Sequence, residues 1–513
     1  MFIPGIVIII TATCWIIYEL LLSTLSSYLL WNSVLQFSLT IGFFLLGLWI
    51  WSFLAKFIKN YEKIFIIIET ILAIIWWGSI ILIKWIYLYL INYLFIFQIF
   101  YLLFVVLIWI LIWLEIPLIW IFLNKKYQNF QKTIWNLLSL DYIGSLIGTI
   151  LFPVLLLPWL WLTYTAIAVW IFNLIVSIIF IIISSISTKE KIKLLIINLL
   201  GLVLLLWMYL FGIKKIEKIW DHFFYWEPIV YSTQSPYQKI VITQRWNDIR
   251  LYLNWHLQFL SLDERRYHTS LTYFAKKFIE NFSGKKLKIL ILWWGDWLAV
   301  RNLLECLSKK KNINYQITIV DLDPYVTNLA KNFPLLIKLN KNSLNNPHIK
   351  IINQDAFKFL LQNKNKYHII IADFPDPRNI ELAKLYSTEF YSIVINHLKE
   401  DGIFTTQASN AFFSKEAFWS IYKTINFAIN KKGTTFKVVP YHTYIPSFGD
   451  WWFVSLILWN SVNFYTWTQA LSGLINFQFD KDYITNLQNI KINSIENLII
   501  IQYYVQWYKR FSQ

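Results

Sequence analysis

An N-terminal α-helical transmembrane bundle of about seven spans, followed by a C-terminal α/β domain, is the fold class this sequence predicts. Three observations predict it. The chain is 57% hydrophobic with a mean hydropathy of +0.50, too apolar for one soluble domain. Its first 213 residues divide into long apolar stretches. From residue 285 onward, short apolar runs alternate with helix-period segments, and acids recur at the run ends.

Residues 2–30 carry one charge, Glu19, and lack both a basic leader and a small-residue cleavage site, so they read as a first crossing rather than a signal peptide. Further apolar spans cover 33–58, 62–84, 92–123, 136–157, 159–187 and 193–212. Lys56, Lys59 and Lys63, then Lys125, Lys126 and Lys132, then Lys189, Lys191 and Lys193, flank these spans. Positive-inside logic puts all three loops in the cytoplasm. Lys214, Lys215 and Lys218 follow the last span and argue for a cytoplasmic C-terminal domain. That conflicts with seven full crossings, and the basic loops outweigh the count. Glu19, Glu115 and Asp141 are acids inside or beside apolar spans. Such acids either mark a path for a cationic solute or pack against a polar partner.

The net charge of +17 is spread over solvated faces and membrane-flanking loops. No Arg/Lys–aromatic block indicates a nucleic-acid surface. Cys14 and Cys306 lie in different regions and form no disulfide framework, and the seven His show no metal-ligand spacing.

After Trp220 charges become frequent. Residues 228–232, 237–244, 249–253 and 256–259 read as strands of a small β subdomain, 220–284. In 285–465, strands are expected at 287–292, 315–320, 349–353, 368–372, 402–406, 434–439 and 451–458. Helices are expected at 297–308, 324–333, 355–362, 384–398 and 415–428. That is a doubly wound, mostly parallel sheet, whose ligand lies beyond the C-terminal strand ends. Asp296, Asp321, Asp323, Asp355, Asp373, Asp376 and Gln407 fall there, so an acidic mouth opens on a basic protein and favours a cationic ligand. The first strand, Leu287 to Leu292, leads through Gly295-Asp296 into a helix, and the next ends in Asp321 and Asp323. A nucleotide-binding turn has this form, with an acid for the ribose hydroxyls. The Asn/Ile-rich tail, 466–513, is given no role.

The turn should be glycine-rich, yet holds Trp293, Trp294 and Trp297. The chain has 28 Trp and 14 Gly. Together they make about 8% of the residues, near the ordinary sum for the two types. The hypothesis this raises is a codon, UGA, that the host reads as glycine and the standard table as tryptophan. The competing reading is a protein rich in genuine interfacial Trp.

An ordered set of motifs resembles the polyamine aminopropyltransferases (spermidine synthases) in the form with an N-terminal multi-spanning domain. In the membrane half these are Tyr18-Glu19-Leu20, Ser33-Val34-Leu35-Gln36-Phe37, Leu114-Glu115-Ile116-Pro117 and Asp141-Tyr142-Ile143-Gly144. Beyond it come Tyr237-Gln238-Lys239-Ile240, Leu253-Asn254-Trp255-His256-Leu257-Gln258, Asp263-Glu264 and Tyr267-His268. Then follow the 293–297 turn, Asp321-Leu322-Asp323, Asp355-Ala356, Asp373-Phe374-Pro375-Asp376-Pro377 and Leu385-Tyr386-Ser387-Thr388-Glu389. The resemblance covers about residues 5–460 and implies a Rossmann-like, class I methyltransferase-like sheet. The family's turn reads Gly-Gly-Gly-Asp-Gly. Trp15, Trp31, Trp109, Trp113, Trp161, Trp246, Trp255 and Trp452 also fall where such sequences carry glycine, whereas Trp451 looks genuine.

The resemblance implies aminopropyl transfer from decarboxylated S-adenosylmethionine to putrescine, giving spermidine and methylthioadenosine, with no tightly bound cofactor and no metal. It implies Asp373 as general base, with Asp376 and Asp296 binding the cationic amine. Tyr267 and His268 would line the amine channel and Tyr386 would close over the acceptor. Gln238, Asp321, Asp355 and Ala356 would hold the nucleoside. Family enzymes commonly form dimers, so the resemblance raises a homodimer as an expectation; the basic loops and apolar spans set the expectation of a multi-pass protein of the cell membrane with its catalytic domain in the cytoplasm. The chain departs from the family after Pro377, where Arg378-Asn379-Ile380-Glu381 replaces a Gly-Pro segment. Two alternatives compete: a polyamine transporter or sensor with an inactive synthase-like domain, and an S-adenosylmethionine-dependent methyltransferase. The acidic mouth argues against the second, whose cofactor carries a carboxylate.

Overall fold

The computed structural model describes residues 2–30, 33–54, 60–128, 130–293, 297–310, 313–433, 436–458, 474–478 and 487–504. The chain divides into two compact units between Trp226 and Glu227.

The first unit is all helix: α1 (Phe2–Leu30), α2 (Ser33–Leu54), α3 (Tyr61–Tyr89), α4 (Leu94–Trp113), α5 (Glu115–Tyr127), α6 (Phe130–Leu151), α7 (Leu157–Ile183), α8 (Thr188–Trp207) and α9 (Ile213–Tyr225). Seven crossings are not what the helices give. Among the described residues four stretches are long and apolar enough to cross a bilayer: Pro4–Leu30, Leu94–Lys125, Thr133–Ile183 and Thr188–Tyr225. Val34–Gly47 and Gly78–Tyr89 are shorter apolar helices. One junction accounts for part of the difference. The expected spans 136–157 and 159–187 run on through a π-helical turn at Phe152–Leu156, and the merged helix leaves helical geometry at Trp161. α1 and α6 pack closely through Gly144 and Gly148. A Cβ at Gly144 would stand 2.4 Å from the Ile9 carbonyl oxygen, and one at Gly148 2.7 Å from that of Thr13.

The second unit begins with an antiparallel meander, β1 (Ile229–Gln234), β2 (Lys239–Arg245), β3 (Asp248–Leu253) and β4 (His256–Leu260). Helices α10 (Glu264–Leu271) and α11 (Tyr273–Asn281) lead to the main sheet. Its strands are β5 (Lys286–Trp293), β6 (Asn314–Asp321), β7 (Ile349–Asn353), β8 (Tyr367–Asp373), β9 (Leu398–Asn410), β10 (Phe436–Ile445) and β11 (Gly449–Leu458). They lie in the order β10-β11-β9-β8-β5-β6-β7, parallel from β9 to β7, with β10 and β11 antiparallel. Between them run α12 (Leu298–Leu307), α13 (Pro324–Asn332), α14 (Pro334–Asn340), α15 (Ala356–Gln362), α16 (Ile380–Ala383), α17 (Thr388–His397) and α18 (Ala411–Lys432). Strand periodicity sorts the core. Ile289, Ile291, Ile317, Ile319, Ile369 and Ile371 face one layer with α10, α11 and α12. Leu290, Leu292, Val320, Ile370, Ala372 and Phe404 face the other with α17 and α18. Both faces are buried, which is why these strands read as unbroken apolar runs.

The expected helix 384–398 is shorter in the fold. A 3₁₀ turn, Lys384–Tyr386, precedes α17, whose N-cap Ser387 accepts the Phe390 amide.

Five tryptophans occupy backbone conformations that glycine ordinarily fills. Trp246 (φ 60°) is the first central residue of the two-residue β2–β3 hairpin, a place reserved for Gly in a type II′ turn. Trp255 (φ 68°) follows Asn254 (φ 47°) in the β3–β4 hairpin, whose two positive φ values specify Asn-Gly. Trp226 (φ 55°) ends α9 in the left-handed conformation of a C-terminal Gly. Trp161 (φ 59°, ψ −177°) stands in a region essentially confined to Gly. Trp297 (φ 52°) caps α12 and is 1% exposed.

Candidate active site

The crevice of the sheet opens at its switch point, where the chain leaves β5 for β6 and β7 on one side and β8 and β9 on the other. At that end Trp293 is in register with Asp321 on β6 and Asp373 on β8. At the usual strand spacing the two positions stand about 10 Å apart across the sheet, with the end of β5 between them.

On the β8 side a cavity is lined by Leu257, Gln258, Tyr267, Asp373, Phe374, Pro375, Asp376, Arg378, Gln407, Phe448 and Trp451. The Tyr267 hydroxyl donates to Asp373 Oδ1 and so fixes the carboxylate's orientation. Asp376 Oδ2 accepts from Tyr504 at 2.9 Å. Burial pushes the Asp376 carboxyl above its usual range, against the opposing pull of the Arg378 charge and the Tyr504 hydrogen bond. Tyr386 is fully buried and points its hydroxyl at the backbone. It donates to the Phe374 and Pro375 carbonyls at 3.0 Å each, and Gln407 Nε2 donates both to it (2.6 Å) and to the Phe374 carbonyl. Burial, followed by the Asp376 charge, raises this phenol well above its ordinary value and keeps it a donor. Tyr386 therefore braces the 374–375 segment from behind.

His268 also lies behind the cavity. Its Nδ1 meets Glu264 Oε2 at 3.0 Å, and Glu264 takes Arg301 in a two-pronged pair at 2.9 and 2.8 Å. Burial alone would raise the Glu264 pKa, but the His268 and Arg301 hydrogen bonds and charges bring it down to about 2. This network fixes α10, which carries Tyr267, against α12.

On the β6 side Asp321 Oδ1 accepts the Asp323 amide at 2.8 Å. Asp323 Oδ2 in turn takes Ser235 Oγ (2.6 Å) and Gln238 Nε2 (3.0 Å) from the β1–β2 turn. Asp323 thus ties the meander to the main sheet. Gln238 is 2% exposed, and its Oε1 has no hydrogen-bond partner among the described residues. Asp355 caps α15 through the Lys358 amide (2.9 Å) and pairs with Lys384 at 3.3 Å. Ala356 opens that helix. Asp296 lies outside the described residues.

Sequence reasoning passed over Tyr504 because it sits in the Asn/Ile-rich tail without a motif, and Ser235 because a lone Ser in a turn carries no signal. Gln258 and Trp451, which line the cavity, were present only as motif neighbours.

A doubly wound sheet with Asp373 and Asp376 in one cavity at its switch point has the fold and the site of a group-transfer enzyme. Residues 264–466 match the family model described as the spermine/spermidine synthase domain. The chain is 35% identical over 495 residues to the polyamine aminopropyltransferase of Leptospira interrogans, covering 96% of this chain and 91% of that one. It is 37% identical over 446 residues to polyamine aminopropyltransferase 2 of Aquifex aeolicus, covering 86% and 85%. A spermidine synthase crystallised with the transition-state analogue AdoDATO aligns at 20% identity with a TM-score of 0.40, over 56% of this chain and 88% of that one. The chain belongs to the polyamine aminopropyltransferase family, and it is an aminopropyltransferase.

Proposed function

We propose that the enzyme moves the aminopropyl group of decarboxylated S-adenosylmethionine to putrescine, releasing spermidine and methylthioadenosine. The acceptor nitrogen attacks the methylene beside the sulfonium. The new C–N bond forms as the C–S bond breaks, and its electron pair stays on sulfur. An alkyl amine is mostly protonated at neutral pH, so a base must take its proton. Asp373 has that role, held by Tyr267, while Asp376 binds the distal ammonium. The observation that carries the reading is the placement of Asp373 and Asp376 in one cavity at the switch point. Asp321 and Gln238 are assigned to the ribose side and Asp355 with Ala356 to the base. Tyr386 positions the Phe374–Pro375 segment and His268 positions α10. We read 1–213 as membrane-embedded, 220–284 as the β subdomain and 285–465 as the transferase domain facing the cytoplasm. In 466–513, Tyr504 supports Asp376. The test is product analysis with purified protein: methylthioadenosine and spermidine in equal amounts support the reading, and methylated amine or no product refutes it.

We further propose that the tryptophans at 293, 294 and 297, with those at 161, 226, 246 and 255, are glycine in the protein as made. Five of them stand at positive φ, in four different kinds of glycine site. A genuinely Trp-rich interface has no reason to select hairpin turns and helix ends. Glycine at 297 would remove a buried indole beside the donor turn.

A further inference from the structure

The helical unit holds a second set of carboxylates that the transfer reaction does not use. A small cavity between α1, α4, α5 and α6 is lined by Thr11, Glu115 and Asp141 together with apolar side chains and the indoles of Trp15 and Trp113. Glu115 is 2% exposed, and its Oε1 has no hydrogen-bond partner among the described residues. The Thr11 hydroxyl has none either. Glu69, on α3, is fully buried and neither of its carboxylate oxygens has a hydrogen-bond partner among the described residues, and Glu115 interacts electrostatically with Glu69 and Asp141. Among the described residues no ion pair reaches any of the three.

Buried carboxylates without partners are costly, and in an apolar helical bundle they persist where a cation or a proton satisfies them. The oxygens present are too few to replace the shell of a calcium-type ion, which takes six to eight. An alkylammonium brings three N–H donors on one nitrogen and an apolar stem. That combination suits two acids and a hydroxyl set in apolar walls, with a third buried acid acting on one of them. The indole of Trp15 lies against Asp141, and with glycine at 15 and 113 the cavity enlarges toward the acids.

We infer that Glu115, Asp141 and Glu69 form a binding site for an alkylammonium group of a polyamine within the helical unit, separate from the transferase cavity. The choice of amine rests on the transferase reading; the site itself rests on the cavity and on the unsatisfied Glu115 and Glu69. Of the acids singled out by sequence, Glu115 and Asp141 meet here and Glu19 does not line the cavity. Glu69 stands outside the lining and acts on Glu115 electrostatically.

The experiment is equilibrium binding of radiolabelled putrescine to the full chain in lipid nanodiscs, without the sulfonium donor. Two sites per chain are expected. Glu115→Gln and Glu69→Gln each weaken one of them by about tenfold or more while turnover is kept, and Asp376→Asn weakens the other. A single site that responds to Asp376→Asn and ignores Glu115→Gln overturns this inference and leaves the transferase reading intact. A single site with the opposite response refutes the transferase reading instead. Should the Gln variants not fold, an apolar carbodiimide can label Glu69 and Glu115 in the unaltered protein, with the sites located by peptide mass. Protection by putrescine supports the site. Equal protection by sodium chloride, or none, overturns it.

Discussion

The two halves of the active site are built by different means. The amine half is made of side chains: Tyr267 on Asp373, Tyr504 on Asp376, Gln407 and Tyr386 on the 374–375 backbone, and Glu264 with Arg301 behind α10. The partners come from several elements, so the geometry is determined several times over. The half proposed to hold the nucleoside depends on backbone: a glycine-type turn is what lets a chain approach such a ligand closely. Side-chain networks tolerate foreign bulk nearby because they define their own spacing. A backbone cradle does not, and at its edge Trp297 is buried in a left-handed conformation. The halves therefore respond differently to substitution.

The largest effect is expected at Asp373. Asp373→Asn should lower turnover by about 10²–10⁴-fold with donor binding unchanged. Unchanged turnover would move the base elsewhere and end the distinction between the halves. Next is the support behind Tyr267. Glu264→Gln leaves Arg301 buried without its carboxylate and should cost about 3–5 kcal/mol in denaturant unfolding. The pH dependence follows the same group. Its folded pKa, about 2, is depressed from the ordinary 4.5 of a glutamate. Its contribution is thus complete above about 4.5 and is lost as pH falls toward about 2, so acid titration of the wild type should lose stability that the Gln variant never had.

Asp376 comes third. Its carboxyl is raised by burial, so amine affinity should fall on acidification at a pH above the ordinary carboxylate range, while donor affinity holds. Arg378→Gln should remove an opposing charge and tighten amine binding severalfold; a weaker amine affinity would count against the assignment of Asp376. Tyr504→Phe should give the smallest change on this side, on the order of 1 kcal/mol in amine binding, seen in the acceptor KM alone. On the nucleoside side Asp355→Ala separates two roles. Loss of a helix cap costs about 0.5–2 kcal/mol of stability and leaves the donor KM alone. A raised donor KM assigns Asp355 to the nucleoside.

Much of this architecture was legible in the chain. Strands of the main sheet were visible because both faces are apolar, and the acids at their ends could be placed from strand length alone. Helix counting failed where apolar stretches ran together through Phe152–Leu156, since hydropathy does not record where a helix continues. The orientations of Tyr386 and His268 were hidden for another reason. Residue type and spacing bring both to the site, but whether each faces the cavity depends on Gln407 and on Glu264, which come from other parts of the chain. Tyr504 could not be read at all, because a long-range hydrogen bond leaves no local pattern.

The most direct test of the contrast between the halves is the mass of the peptide spanning Ile289 to Arg301 in protein taken from the native host. Glycine at 293, 294 and 297 is the predicted result, and it makes the nucleoside turn as well formed as the amine cavity. Tryptophan at all three would contradict the account, leaving a chain whose amine half is complete and whose donor turn carries indole where the transfer chemistry needs open backbone.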